Sequence, residues 1–307
     1  MTGPEPTVDG LDRPGRTVSL PVVRWGSATR RGEGPDEVVA EEPLEIRVAT
    51  EGADRSDPLA VTMRTPGNDF ELAAGFALTE GIVRAPGEIR GIRYCAPPGE
   101  EQQFNVVTVD VASSASFDPD RFRRNTYTTS SCGVCGRATL EQLRVAGLRP
   151  PARSLGVDPS RLAQLPDRLV AAQTVFARTG GLHATGIADR DGRLLFARED
   201  VGRHNAFDKV VGRLALDDQL PAAARIAVVS GRASFELVQK SVVAGIPILA
   251  AVGAPSHLAV ALAREYGTTL VGFVRSDGFT VYAGAERLGL ADASTPTTVA
   301  LPSARPA

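Results

Sequence analysis

The chain has 307 residues, 34 basic against 36 acidic side chains, a formal net charge of −2 and three cysteines, which suits about two domains or one large one. A hydrophobic share of 43% beside 23% charged residues excludes a wholly disordered chain, and the near-balanced charge excludes a broad basic surface for nucleic acid. No apolar run approaches the ~20 residues of a membrane-spanning helix, and the polar, acid- and proline-bearing start reads as no export signal, so reduced thiols in the cytoplasm are expected.

Residues 1–15 and 289–307 are rich in Pro, Ala, Ser and Thr and are expected to be disordered tails. Between them, residues 16–130 read as a β-rich N-terminal lobe. VSLPVVRW, PLEIRVAT, LAVTMRT and FNVVTVDV are β-branched runs between polar or Gly/Pro punctuation. One helix, FELAAGFALTEG, interrupts them, with Asn68 as its expected N-cap and Gly81 as its stop. Residues 131–166 form a cysteine loop with connecting helices, one of them starting near Arg137.

From about Asp167 to residue 288, helices and strands alternate. DRLVAAQTVFART predicts an amphipathic helix ending at Gly180-Gly181, and ATGIADRDGRLLFARED predicts a hairpin turning at Asp191-Gly192. GRHNAFDKVVGRLAL, FELVQKSVVAG and HLAVALAREYG read as helices between the short strands ARIAVVS, PILAAV and TLVGFVRS. The fold class expected is therefore α/β, with a three-layer C-terminal lobe built on a parallel or mixed sheet.

The most informative stretch is TYTTSSCGVCGRATLEQL, where Cys132 and Cys135 form a C-x-x-C. A thiol just before a helix start, with Arg137 beside it, is favoured as thiolate, the reactive form. Taken alone the motif is open to four readings: half of a zinc site, a thioredoxin-like redox pair, an inert loop, or a persulfide carrier. Zinc lacks two well-spaced partners among Cys95 and the three histidines, and Ser130-Ser131 stand where a redox pair usually has an aromatic. Cys95, at the end of an apolar strand, reads as a buried structural thiol.

TSSCGVCGR, then FAREDVGRHNAFDKVVG, SGRASFELVQKSVVAGIPILAAVGAPS and GFVRSDGFTVYAG, in that order from about residue 18 to 288, resemble the formate dehydrogenase accessory sulfurtransferase family, FdhD. The resemblance implies a sulfur carrier that takes persulfide sulfur from a cysteine desulfurase. It would deliver that sulfur to the molybdenum cofactor, Mo-bis(molybdopterin guanine dinucleotide), before insertion into formate dehydrogenase. It also implies a homodimer and a cytidine-deaminase-like C-terminal lobe; no permanently bound metal is expected. Carried over by position, Cys132 is the persulfide-forming cysteine and Cys135 the second cysteine of the motif. Phe273, Val274, Arg275, Ser276, Asp277 and Gly278 match the cofactor-binding segment. The rival reading is a non-catalytic chaperone for the cofactor, with a C-x-x-C that merely shapes a loop.

A deaminase-like fold does not imply deamination. The only H-x-E candidate, His183-Ala184-Thr185, has Thr in place of the proton-shuttling Glu, and the C-x-x-C precedes it without a proline. A dinucleotide ligand calls for backbone N–H groups at glycine turns and a few cations. Gly202-Arg203-His204 opens one helix, Ser230-Gly231-Arg232 joins a strand to a helix, and Gly253-Ala254-Pro255-Ser256 does the same one strand later; Arg203, Arg232 and Arg275 supply charge. His204 and Asp208, four apart, are expected to share a helix face. His183 either satisfies a buried carbonyl or approaches the cysteine loop, and His257, near a helix start, reads as structural. Lysine occurs only at Lys209 and Lys240. Drift toward arginine codons accounts for that, or these two positions need a compact ammonium for ligand binding.

Overall fold

The computed structural model of the chain describes residues 14–26, 32–51, 55–96, 101–113, 115, 150–152 and 154–290. Strands Thr17–Arg24 (β1) and Gly32–Val39 (β2) pair antiparallel as a separate ribbon. Glu42–Thr50 (β3), Asp57–Arg64 (β4), Ile89–Tyr94 (β5) and Val106–Val111 (β6) form a four-stranded sheet in the order β4-β3-β6-β5. Helix Asp69–Thr79 (α1) falls between β4 and β5 in the chain and packs on β5 and β6.

The second half opens with short helices Pro159–Ala163 (α2), Leu165–Ala172 (α3) and Phe176–Thr179 (α4). A hairpin of His183–Ala188 (β7) and Leu194–Asp200 (β8) leads into helix Arg203–Leu216 (α5). Then come Ile226–Val229 (β9), Phe235–Val243 (α6), Ile248–Ala251 (β10), His257–Tyr266 (α7), Thr269–Arg275 (β11) and Gly278–Ala283 (β12). The six strands order as β12-β11-β10-β9-β7-β8, with β9, β10 and β11 parallel and the flanking strands antiparallel, so the sheet is mixed.

Side-chain alternation along these strands explains the layers. Ile226, Val228, Ile248 and Ala250 point to one face, where Leu162, Leu165 and Leu169 of α2 and α3 cover them. Ala227, Val229, Leu249 and Ala251 point to the other, under Phe207, Val211, Val238 and Leu262 of α5, α6 and α7. Helices on both faces explain why the central strands read as unbroken apolar runs. The mixed α/β class expected from the alternation is the one observed. The same apolar cluster continues through Leu72, Ala73 and Ala77 of α1 to Leu44, Ile46, Val107 and Val109 of the four-stranded sheet. Each such fully buried large side chain contributes roughly 1.5–3 kcal/mol.

The seam between the halves is α1 against α5, and its closeness depends on two glycines. A Cβ built on Gly75 would lie 1.9 Å from the Asp208 carbonyl oxygen, and one on Gly212 would lie 1.7 Å from that of Glu71.

Several local expectations need correcting. Asn68 caps nothing with its side chain; it sits in the left-handed region (φ 59°), and its carbonyl accepts the Leu72 N–H at 2.9 Å. Gly81 does close the helix, at φ 72°, with Ile82 N–H returning to Ala77 O at 2.9 Å. The helix expected up to Gly180-Gly181 is broken at residues 173–175. The Glu199 carboxylate accepts the N–H groups of Val175 (3.2 Å) and Phe176 (2.8 Å) and starts α4 afresh. The hairpin turns where expected, with Gly192 at φ 74° and Asp189 accepting from Asp191 and Arg193 N–H. β2 and β12 are strands that the β-branched pattern does not mark, while β5 is the apolar strand expected before Cys95. The helix expected near Arg137 lies outside the described residues.

Candidate functional site

The parallel strands β9, β10 and β11 all end at one edge of the six-stranded sheet, and the glycine turns follow there. In the first, the Ser230 hydroxyl accepts the Ala184 N–H at 2.9 Å while Ser230 N–H donates to Ala184 O at 3.0 Å, locking the turn to β7. In the second, Gly253 N–H donates to Gly231 O at 2.9 Å, and Ala233 and Pro255 form a parallel bridge. Gly253 packs tightly here, since a Cβ there would meet Arg232 at 3.0–3.1 Å and push it by a few tenths of an ångström. The two turns are thus in register and stapled together.

β11 closes this edge. Phe273 takes a positive φ of 54°, rare for an aromatic residue and costing about 1–2 kcal/mol. Its N–H donates to Gly253 O at 3.2 Å, and its ring is 48% exposed. Val274 is buried, while Ser276 and Asp277 are exposed in the turn that Gly278 ends. Arg275 is held as a brace, its Nη1 donating to Val252 O (2.8 Å) and Val274 O (2.7 Å). Arg232 is exposed.

The start of α5 joins the same edge through His183, the first residue of β7, whose ring would lie 3.5 Å from a Cβ on Gly231. Gly202 is the N-cap, no side chain caps the helix, and no acidic residue stands in its first turn. Those N–H groups and the dipole leave a positive end. Arg203 adds a guanidinium whose Nε is buried with no hydrogen-bond partner among the described residues. An orphaned buried donor of this kind fits an anionic ligand.

His204 follows, and its partner differs from the expected one. Asp208 turns away to Thr79 (2.8 Å) and Lys240 (2.9 Å), whereas His204 Nε2 lies 3.3 Å from the Ser234 hydroxyl and 3.8 Å from Glu236. Burial, with Lys240 and Arg203 adding to it, pushes the His204 pKa down to about 4, against the opposing pull of Glu236. His183 is also lowered, by burial and then Arg203, with Asp200 opposing. Both imidazoles are therefore neutral at pH 7. His257 is the exposed first residue of α7.

The two lysines belong to the support rather than to the ligand edge. Lys209, fully buried, donates to Asp200 (2.7 Å) and to Thr65 O (2.9 Å). Asp200 also accepts from Gly202 N–H (2.9 Å), Asn205 Nδ2 (3.1 Å) and Thr65 N–H (3.2 Å), so it fixes the entry to α5. Burial alone would lower the Lys240 ammonium, but Asp208 and Glu80 outweigh it and hold its proton above the ordinary lysine range. Both ammonium groups are buried in ion pairs and hydrogen bonds that cross the seam. Lys209→Met should cost about 3–5 kcal/mol, because Asp200 is left buried without its cation; a urea unfolding midpoint would read it. Neither Asp200 nor Ser234 stands out in sequence by residue type, although an acid just before a glycine helix start, and a serine just before FELVQ, are the signals that could have found them.

Cys132 and Cys135 lie outside the described residues. Cys95 is half-buried rather than buried: it follows β5 and lies 3.0 Å from Arg93 Nη1 and 3.2 Å from Thr108 Oγ1. Among the described residues no cluster of His, Cys, Asp or Glu could hold a metal, and no helix is long and apolar enough to cross a membrane.

Residues 39–289 match the FdhD/NarQ family model. The chain is 51% identical over 272 residues to the sulfur carrier protein FdhD of Streptomyces coelicolor, covering 87% of this chain and 93% of that one. It is 46% identical to the protein of the same name from Mycobacterium tuberculosis, covering 87% and 96%. A crystal structure described as a formate dehydrogenase accessory protein, from Desulfotalea psychrophila, superposes with a TM-score of 0.65 at 25% identity, covering 89% of this chain and 98% of that one.

Proposed function

Since the chain belongs to the FdhD/NarQ family, we propose that it is a cytoplasmic sulfur carrier whose working atom is the Cys132 sulfur. The observation that carries this reading is the Cys132/Cys135 motif in a chain half-identical, over most of its length, to relatives named sulfur carrier proteins. The Cys132 thiolate attacks the outer sulfur of a persulfide on a cysteine desulfurase. A new S–S bond forms at Cys132 as the donor's S–S bond breaks, and the donor cysteine leaves as thiolate. The S–S bond at Cys132 then breaks: the outer sulfur passes to the molybdenum of Mo-bis(molybdopterin guanine dinucleotide) as a sulfido ligand, the cargo's metal gives up the two electrons this takes, and the Cys132 thiolate leaves regenerated. Formate dehydrogenase receives the sulfurated cofactor. The working form is a homodimer.

The sheet edge is the proposed cargo site. Its support is the convergence of the α5 start, the stapled turns and the Phe273–Gly278 segment, together with the orphaned Arg203 Nε. A pyrophosphate suits the α5 start, and an exposed aromatic ring suits a purine face. Mass spectrometry after incubation with a desulfurase and cysteine tests the carrier reading. One added sulfur on the peptide containing Cys132 is expected. No added sulfur would favour the chaperone reading instead.

A further inference from the structure

Two helix N-termini meet at the sheet edge, and they are not finished alike. The turns after β9 and β10 each end in a serine N-cap, Ser234 for α6 and Ser256 for α7. Ser256 caps its own helix, its hydroxyl accepting the Ala259 N–H at 3.2 Å. Ser234 makes no cap bond; its hydroxyl faces His204 Nε2 at 3.3 Å. The α6 start therefore keeps its N–H groups uncapped, and the α5 start, with His204 in its first turn, is uncapped as well. His204 joins these two helix starts, of which α6 carries Glu236 in its first turn and α5 carries no acid, and its side chain is 29% exposed and so within reach of a ligand.

The charges around that ring are uneven. Arg203 and Lys240 disfavour its protonation and His183 does so weakly, while Glu236 at 3.8 Å is the acid that favours it. Asp208 is occupied by Lys240 and Thr79, and Asp200 by Lys209 and Asn205. Burial is the largest cause of its neutrality, with Lys240 and Arg203 next, so His204 is neutral near pH 7 and an added negative charge can bring it to protonation only at mildly acidic pH. An anion placed beside the ring would offset the part of that suppression that comes from Lys240 and Arg203, because an opposite charge nearby favours the protonated imidazole.

Resting on the cargo site proposed above, we infer that His204 is a specificity-determining residue of that site, taking up a proton from solvent at mildly acidic pH when a pyrophosphate docks between the starts of α5 and α6. The new bond is an imidazole N–H that donates to a phosphate oxygen, and the buffer is the proton source. A neutral ligand of the same shape would not draw that proton and would bind more weakly. The site then selects its cargo by charge as well as by shape.

Isothermal calorimetry on the full chain tests this, with GDP-mannose as the probe because its pyrophosphate is a diester that does not itself titrate near neutrality. Titrations in buffers of different ionisation enthalpy give the number of protons taken up. An anion that favours charged His204 by a factor of about 100 should give an uptake of roughly 0.8 proton near pH 5, and a Kd that falls about tenfold between about pH 7.5 and pH 5. In His204→Gln, uptake should drop to near zero and the Kd should no longer depend on pH over that range. Binding with no proton uptake in the unsubstituted chain, or uptake that persists in His204→Gln, would overturn the role of His204 and leave the cargo site standing. Absence of any binding at either pH would count against the cargo site itself, and His204's role would go with it.

Discussion

Gly75→Ala is expected to lower the thermal midpoint by about 10 °C or more, or to prevent recovery of folded chain altogether. The added Cβ would stand 1.9 Å from the Asp208 carbonyl oxygen and 2.6 Å from its carbon. Both obstacles are main chain, so no rotamer change relieves the clash. Either α1 and α5 separate or one of them bends, and both outcomes open the packing of Leu72 and Phe207, which are fully buried. Separation would also stretch the bonds that cross the seam, Thr79 to Asp208 at 2.8 Å and Lys240 to Thr79 at 2.8 Å. The combined cost is at least about 4 kcal/mol. Gly212→Ala should behave alike, since its Cβ would stand 1.7 Å from Glu71 O. Gly87→Ala is the control: nothing lies within 4 Å of that position, and its midpoint should move by no more than a degree or two. Circular dichroism melting curves of the three variants read all of this. A Gly75→Ala chain as stable as the control would show that the helices are not in main-chain contact.

Cys132→Ala should reduce activation of formate dehydrogenase to the level seen with no carrier added. The change removes the one sulfur on which the proposed transfer depends, and neither the neighbouring serines nor Cys135 can hold sulfur at that position. Melting behaviour and binding of a guanine nucleotide should match the unsubstituted chain, because the hydrogen bonds that staple the turns and fix the α5 start are made by other residues. A variant that loses nucleotide binding as well would point to a damaged fold rather than missing chemistry. Full activation by Cys132→Ala in a complementation assay would end the carrier reading. Cys135→Ala is expected to lose only part of the activity.

Much of the architecture is legible from period and punctuation. The α/β alternation, the buried strands and the Asp191-Gly192 turn follow from local pattern, because each depends on residues adjacent in the chain. β2 does not, because GEGPDEVV is rich in Gly, Pro and acid and is a strand only through pairing with β1. The break between α3 and α4 is equally hidden: the Glu199 carboxylate that causes it comes from β8, 23 or 24 residues away. Gly75 and Gly212 look like ordinary mid-helix penalties until the two helices are seen to touch. At the candidate site, the glycine turns and their register are readable, whereas the partner of His204 is not. Spacing of four residues favours Asp208, but Lys240 from the next helix offers that carboxylate an ion pair, and tertiary context decides. The scarcity of lysine was a visible clue whose meaning depended on burial.

The peptide groups that join Gly231 to Gly253 and Ala233 to Ala254 and Ser256 leave the two loops after β9 and β10 little freedom to swing apart. Such a lip is rigid before anything arrives, so capture costs little ordering. It also means that a passenger cannot be ejected by the lip springing open. On the cargo role proposed for this edge, unloading would instead have to be driven by the recipient, through tighter grip or a change of charge on what is carried.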